Sequence, residues 1–274
     1  MLPQASERRI CRVLCVSRSG SRPTHQSGPG NRCRHTWLEA CLSELIRLHP
    51  TFGYRRLWAL LRFRHGYAIN VKTVHRLIRK NGWQVHSRKQ AAKPRVKTSY
   101  SRAGASNERW AMDVTHISCG IDGWGHLVAI MDCHDREVIG YEFALRGRAR
   151  EAERALENAC LHRFGTLRPD QSMPRLRSDN GLIFQSRRFR ATCHDYRLSQ
   201  EFITPYTPEQ NGMIERFFRS LKEECVWQHT FGDFKTASRV ISRWMTWYNQ
   251  ERPHQSLGYK SPTEFRTQQL QLVA

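Results

Sequence analysis

Residues 109–145 read RWAMDVTHISCGIDGWGHLVAIMDCHDREVIGYEFAL. From residue 110 apolar side chains occur at every second position, which is typical of a half-buried strand. Two further apolar runs, at residues 126–133 and 137–145, flank the turn sequence His134-Asp135-Arg136, and glycines mark the preceding turn. The sequence therefore predicts three adjoining strands.

Helical and extended patterns alternate after these strands. Short strands are predicted to end near residue 178 and to lie near residues 200–203. Helices are predicted over residues 149–163, 186–195, 212–227 and 235–249. This order predicts an α/β fold in which a mixed sheet is flanked by helices.

Positive charge is concentrated in the first part of the chain. Of 274 residues, 45 are Lys or Arg and 24 are Asp or Glu. Residues 1–105 hold 22 Lys or Arg and 3 Asp or Glu, a net charge of +19, whereas residues 106–274 have a net charge of +2. A cationic segment that neutralises phosphates favours nucleic-acid binding. The alternatives are a basic protein without such a partner and one that binds acidic membranes.

Residues 53–85 have the pattern of a helix-turn-helix. Apolar spacing predicts one helix before His65-Gly66 and a second after Asn70, which can cap it, while Asn81-Gly82 can end it. The outer face of the second helix would carry the residues that we assign to DNA binding: Lys72, Arg76, Arg79 and Lys80. The alternative is an ordinary helical hairpin with a solvated basic face.

The segments around this motif are less regular. Two short helical stretches are predicted over residues 7–20, a linker over 20–34 and a helix over about 36–48. Residues 86–107 are basic and lack apolar periodicity, which predicts an exposed linker that runs along DNA.

Composition excludes several classes of protein. No run of about 18 apolar residues is present, so no transmembrane helix is expected. The first 20 residues lack the apolar region of a signal peptide. Nine cysteines, an odd number without a C-x-x-C pair, favour free thiols over disulfides or a structural zinc site. We therefore expect a cytoplasmic protein.

Three acids occupy positions where a carboxylate is costly. Asp113 interrupts an apolar strand, Asp179 follows a strand in SDNG, and Glu215 opens a helix. The first two are separated by 65 residues and the last two by 35. Clustered carboxylates repel one another, and a bound cation offsets that repulsion. Mg²⁺ and Mn²⁺ are hard cations that prefer oxygen ligands. Asp132 is interpreted as a strand-end or turn residue rather than a ligand.

The helix predicted over residues 212–227 places two cations beside Glu215. Arg219 and Lys222 follow it at i+4 and i+7, along the edge of an apolar stripe. A metal-binding acid beside phosphate-binding cations is what a nucleic-acid cutting site needs. The alternative, equally supported by these residues, is a surface row of ion pairs worth a few tenths of a kcal/mol each.

The flanking motifs are more specific than the spacing. They read RWAMDVTHI, LRSDNG, TPYTPEQNGMIERFFRSLKEE and YNQERPHQSLGYKSPTEF. With the D…D-x35-E spacing, they resemble the DDE integrase-core transposases of the insertion sequence 3 family, and more closely their downstream-frame, OrfB-type protein. The resemblance extends from about residue 6 to 266. A departure follows Asn180-Gly181, where Leu182-Ile183-Phe184 replaces a more usual small and polar pair.

The resemblance implies a site and its cofactors. It implies a ribonuclease-H-like core in which Asp113, Asp179 and Glu215 are catalytic and bind Mg²⁺ or Mn²⁺, as two ions. It assigns Lys222 to contact with terminal DNA, and we assign Arg219 and Asn211 to DNA binding with it. The implied reaction is cleavage of element ends followed by strand transfer into target DNA.

The resemblance also implies partners and a division of the chain. DNA is the main partner, synapsis of two ends implies at least a homodimer, and an upstream-frame protein is expected as a fusion partner or companion. The predicted regions are a basic helical region, a helix-turn-helix, a basic linker, a ribonuclease-H-like catalytic core and a tail, at residues 1–50, 51–85, 86–107, 108–266 and 267–274. Two alternatives stay open: a catalytically idle DNA-binding regulator and a ribonuclease-H-type nuclease. Terminal inverted repeats beside the gene would favour a transposase over both.

Overall fold

A computed structural model of the protein describes residues 30–85, 103–166, 168, 170–205 and 207–273. The chain divides into two compact units, Met1–Leu48 and His49–Ala274. The helices predicted over residues 7–20 and most of the linker predicted over 86–107 lie outside the described residues. Among those described, no helix is both long and apolar enough to cross a membrane.

The first unit contributes helix α1, Gly30–Leu48. It begins six residues before the predicted start, inside the predicted linker, because the sequence GNRCRH at its start offers almost no apolar spacing. Leu38, Leu42 and Leu45 are buried on one side of this helix.

The second unit begins with the predicted pair of helices. Helix α2, Tyr54–Ala59, continues as a π-helical segment at Leu60–Arg64, and α3 spans Val71–Lys80. As predicted, the Asn70 side chain caps α3 by accepting the N–H of Lys72 at 2.8 Å. Gly82 follows α3 with a φ of 68°, the left-handed conformation expected of a glycine that ends a helix.

The predicted mixed sheet has five strands in the described part of the chain. They are β1 Arg109–Ser118, β2 Trp124–Asp132, β3 Val138–Ala144, β4 Arg175–Ser178 and β5 Ser199–Phe202, in the order β3-β2-β1-β4-β5. The pairs β1-β2 and β2-β3 are antiparallel, whereas β1-β4 and β4-β5 are parallel. The central position of β1 brings its residues next to both halves of the sheet.

Helices cover both faces of this sheet. They are α4 Ala149–Phe164, α5 Leu182–Gln185, α6 Arg187–Asp195, α7 Gly212–Glu224 and α8 Phe234–Gln250, while a last helix, α9 Pro262–Val273, packs against α8. One apolar core joins the sheet to α7 and α8, and a second joins the other face to α4, α5 and α6. The fold is therefore a three-layer α/β arrangement, as predicted, and α9 runs through the boundary proposed at residue 266.

Helix α4 packs so closely on β3 that only glycine fits at residue 140. A Cβ atom on Gly140 would collide with the carbonyl oxygen of Ala155. This close approach fixes α4 against the sheet.

A buried ion cluster lies where β2 turns into β3. Arg163, from α4, reaches Asp135 at 2.9 Å, Glu137 at 3.1 Å and Asp132 at 3.8 Å, and the side chains of Arg163, Asp132 and Asp135 are completely buried. Arg266, from α9, lies 3.6 Å from Glu137. Asp132 also accepts the N–H groups of two neighbouring loop residues, in keeping with the turn position predicted for it.

The helix pair packs against the C-terminal part of the same unit. Arg56 lies 2.9 Å from Glu224, which also pairs with buried Arg252 at 2.6 Å. The Trp58 ring meets that of Tyr259 edge-on at 5.3 Å. Residues 54–80 and the sheet therefore belong to one packed structure.

The described cysteines whose state is defined are free thiols, as predicted. They are Cys41, Cys119, Cys133, Cys160, Cys193 and Cys225, and all but Cys41 are buried. Burial raises the pKa of the Cys133 thiol to about 12, so it remains protonated at neutral pH.

Candidate active site and nucleic-acid interface

The register between β1 and β4 brings Asp113 and Asp179 together. Ala111 of β1 is paired with Arg177 of β4, so the two acids lie at equivalent positions two residues farther along. Each carboxylate is held locally: Oδ1 of Asp113 accepts the N–H of Val114 at 2.8 Å, and Oδ1 of Asp179 accepts the N–H of Gly181 at 3.0 Å. Acids that are 66 positions apart in sequence thus become neighbours.

Glu215 approaches the same place from α7. Ala111 and Ile117 belong to the sheet face that packs against Ile214 and Phe217 of α7. Asp113 shares that face because side chains alternate along a strand. Glu215 lies in the first turn of α7 and is exposed. The sheet and the helix therefore bring all three predicted acids to one side of the molecule.

Electrostatics confirm that these charges influence one another. The pKa of Asp113 is raised to about 7, chiefly by burial. The hydrogen bond from the N–H of Val114 and the charge of Lys222 lower this pKa, whereas the charges of Asp179 and Glu215 raise it. Burial and nearby Glu209 raise the pKa of Glu215. Negative charge is therefore concentrated here and only partly compensated.

The oxygen donors of these acids suit a hard divalent cation. In the described ranges, however, no three His, Cys, Asp or Glu side chains are arranged to hold one ion. The three acids therefore adjoin one another without converging on a single point. Their mutual repulsion is what a bound cation would relieve.

The two cations predicted beside Glu215 have different surroundings. Arg219 is exposed, and its Nε donates to Glu223 Oε1 at 2.9 Å. Lys222 is half-buried, and its positive charge lowers the pKa of Asp113. The pKa of His116 is lowered by burial, by His126 and, to a smaller extent, by Lys222. The charge of Lys222 thus acts on Asp113, while Arg219 forms a surface ion pair with Glu223. Contact of either residue with DNA stays a prediction.

Replacing Lys222 with alanine is expected to slow cleavage of a DNA end about tenfold or more, the value of one charge-assisted hydrogen bond. Loss of its charge also raises the pKa of Asp113, so the rising limb of the pH–rate profile should move to higher pH. A pH series of cleavage rates measures both effects. Arg216→Ala is the matched control, since Arg216 is exposed on the same helix and is not among the predicted DNA-binding residues. A wild-type rate and profile in Lys222→Ala would contradict the assignment.

Asn211 has a different environment from the one expected of a DNA-binding side chain. It is only 2% exposed, and its Nδ2 donates to the carbonyl oxygen of Met112 at 3.4 Å. In this conformation the side chain joins the start of α7 to β1. A DNA contact through Asn211 stays a prediction and requires this segment to move.

Sequence reasoning missed Arg177, which is 2% exposed within β4. Its Nη1 donates to the carbonyl oxygen of Gln210 at 2.8 Å and its Nη2 to Glu201 Oε1 at 2.8 Å. An arginine inside a short strand, two residues before Asp179, was the signal that could have found it, because a buried guanidinium requires partners.

The basic face of α3 is open to solvent. Val74, Leu77 and Ile78 are buried on its inner side. The predicted DNA-binding residues Lys72, Arg76, Arg79 and Lys80 are all exposed. Their contact with DNA stays a prediction, and the structure leaves the face accessible for it.

Comparison with known proteins identifies the family. Two integrase core domain families match residues 103–208 and 196–262, and an HTH-like domain family matches residues 38–91. The chain is 30% identical over 276 residues to the transposase InsD for insertion element IS2A/D/F/H/I/K of Escherichia coli, and the match covers 94% of this chain and 90% of that protein. The chain belongs to the DDE transposases of the insertion sequence 3 family. The transposase is accordingly a polynucleotidyl transferase with a ribonuclease-H-like core and an HTH-like region.

Solved structures with a similar fold include retroviral and transposon proteins. The catalytic core domain of BIV integrase is 22% identical, with a TM-score of 0.46, and the match covers 61% of the transposase and 97% of that chain. The catalytic domain of Mos1 mariner transposase is 17% identical, with a TM-score of 0.44, and the match covers 51% and 70% of the two chains.

Proposed function

We propose that Asp113, Asp179 and Glu215 form the catalytic site of this transposase and hold two Mg²⁺ or Mn²⁺ ions. The observation that carries the proposal is the placement of the three acids beside one another, where burial first and then the charges of Asp179 and Glu215 raise the pKa of Asp113, to about 7 overall. Bound divalent ions would activate the attacking oxygen and stabilise the leaving one.

The residues themselves then have defined tasks. Asp113 must lose its proton to serve as a ligand, and the adjacent charge of Lys222 favours that loss. Lys222 would also bind a phosphate beside the scissile bond. In strand transfer, the 3′-OH of the cut end forms one phosphoester bond while the target strand loses another, so the number of such bonds is conserved and no ATP is required.

Element ends would be bound by the cationic front of the chain. We propose residues 51–85 as the DNA-binding region, 86–107 as its linker, and 108–266 as the catalytic core. Lys72, Arg76, Arg79 and Lys80 would contact DNA through α3. Because two ends must be brought together, the active form would be at least a dimer, acting in the bacterial cytoplasm with DNA and with an upstream-frame protein.

A cleavage assay tests this proposal. DNA that carries the terminal inverted repeat of the element is incubated with the protein and Mg²⁺ or Mn²⁺, and nicking and strand-transfer products are separated. We expect end-specific products that disappear when the metal is chelated. Cleavage that continues in chelator, or that ignores the end sequence, would contradict the proposal.

Binding through α3 makes a separate prediction about salt. Replacing Lys72, Arg76 and Arg79 with glutamine should weaken end binding and make the slope of log K against log salt shallower by about 0.9 for each phosphate that the protein no longer neutralises. Titrations at several salt concentrations measure this slope. Point variants are preferable to deletion of the front, because deletion would also remove the Arg56–Glu224 ion pair.

The control removes equal charge from elsewhere on the same unit. Arg187, Arg190 and Arg243 are exposed on α6 and α8, and their replacement with glutamine leaves α3 intact. An equal change of slope in both triple variants would show that net charge, and not α3, binds the DNA ends.

A further inference from the structure

Arg177 connects β4 to the segment that leads into α7. Its side chain is 3% exposed and lies two residues before Asp179. One guanidinium nitrogen donates to the carbonyl oxygen of Gln210 at 2.8 Å, while the other is held by Glu201, from β5, at 2.8 Å. The strand that precedes one acid thus fixes the backbone five residues before Glu215.

Asn211 connects the same segment to β1. Its amide donates at 3.4 Å to the carbonyl oxygen of Met112, the residue before Asp113. Gln210 and Asn211 are consecutive. Their hydrogen bonds therefore attach one segment both to β4, which ends before Asp179, and to β1, which contains Asp113.

The cap position of α7 supports a role for this hydrogen bond. Asn211 occupies the N-cap of α7, where asparagine commonly accepts a backbone N–H, yet its side chain forms no such bond. The side chain is directed to β1 instead. The amide nitrogen thus connects the start of α7 to the strand that carries Asp113, while the buried Oδ1 has no hydrogen-bond partner within the described residues.

We infer that Arg177 and Asn211 are positioning residues that set the location of Glu215 relative to Asp113 and Asp179. They act on the two residues that precede α7, five and four positions before Glu215, and they contact neither metal nor DNA in this role. The inference rests on the proposed catalytic function of the three acids. Mg²⁺ requires near-ideal octahedral geometry, so it is the ion most sensitive to a displaced ligand.

The test compares the Mg²⁺ concentration that gives half-maximal end cleavage. The variants are Asn211→Ala and the double variant Arg177→Met/Glu201→Gln, which removes both partners of the Arg177–Glu201 ion pair. The double variant also removes the carboxylate that pairs with Arg109, and the Arg109→Gln control isolates that loss. In each variant the Mg²⁺ concentration for half-maximal cleavage should increase by about tenfold or more, as it does when other groups that orient metal ligands are removed. Mn²⁺ should reduce the deficit, and the double variant, whose residues have no predicted contact with DNA, should bind ends without metal as the wild type does. Arg109→Gln is the control, because it removes the other Glu201 ion pair and leaves the bond to Gln210 in place.

Two results would overturn the inference. One is an unchanged Mg²⁺ requirement in both variants. The other is a loss of activity that saturating Mg²⁺ and Mn²⁺ leave unaltered and that follows a lower melting temperature, which is the behaviour of a purely structural bond. Failure of the catalytic proposal is distinguishable, since it appears as metal-dependent cleavage by Glu215→Gln, in which both positioning bonds are intact.

Discussion

Replacing Asp113 with asparagine is expected to reduce end cleavage and strand transfer by about 10³-fold or more. The amide cannot supply the negative oxygen that a divalent ion requires, and metal stabilisation of the transition state is worth several kcal/mol, with about 1.4 kcal/mol for each factor of ten in rate. Asp179→Asn and Glu215→Gln should have similar effects. Binding of element ends, measured without metal, should persist.

The same change should stabilise the metal-free fold. The folded pKa of Asp113, about 7, lies above its unfolded value near 4, so the folded state binds more protons between these values and stability falls as pH rises through them. Asparagine cannot ionise, so the Asp113→Asn variant does not lose stability in this way as the pH rises. Thermal melts in chelator should therefore show a larger gain for Asp113→Asn at pH 8 than at pH 4.

Glu223→Gln is the matched control for the Glu215 variant. Glu223 is on the same helix and pairs with Arg219 at the surface, so its loss should change neither cleavage nor stability appreciably. Undiminished, metal-dependent turnover by any one of the three acid variants would remove that residue from the site.

Replacing Arg163 with methionine should have the largest effect on stability. Arg163 is surrounded by three buried acids and is their main compensating charge. Breaking a buried ion pair by removing one partner costs about 3–5 kcal/mol, which corresponds to roughly 10 °C in melting temperature for a unit of this size. Denaturant unfolding measures the free energy directly.

The deficit should depend on pH in a defined direction. Burial already raises the pKa of Asp132 and nearby Asp135 raises it further, while Arg163 lowers it. Without Arg163, Asp132 takes up a proton more readily, so the variant should lose less stability relative to wild type at low pH than at pH 8. Arg154→Met, which removes a half-exposed pair with Glu142, is the control and should cost less than about 1 kcal/mol. An equally small cost for Arg163→Met would show that the cluster does not stabilise the fold.

The features predicted correctly from sequence depend on local periodicity. Alternating apolar residues predicted β1, and apolar residues at helical spacing predicted α4, α7 and α8. These patterns are visible because each helix buries one apolar face against the core that it shares with the sheet. Asn70 and Gly82 mark the ends of α3 by chemistry that acts within a few residues. The start of α1 was missed because its first turn lacks apolar spacing.

Contacts between distant residues were beyond such reasoning. Arg219 and Lys222 follow the same helical spacing, and only the position of β1 beside α7 makes Lys222 the neighbour of Asp113. Arg177 and Gln210 are 33 residues apart, and no periodicity relates them. The three acids themselves were found through a family resemblance, since their spacing alone left a surface salt-bridge row equally open.

The bond from Arg56 to Glu224 joins residues 168 positions apart, and Tyr259 packs on Trp58 within the same interface. Residues 49–85 therefore cannot be exchanged alone between related transposases without loss of these contacts. Glu224, Arg252 and Tyr259 would have to be exchanged with them, so that the introduced helices keep their ion pair with Glu224 and their ring contact with Tyr259. The two segments of this transposase must therefore be engineered together.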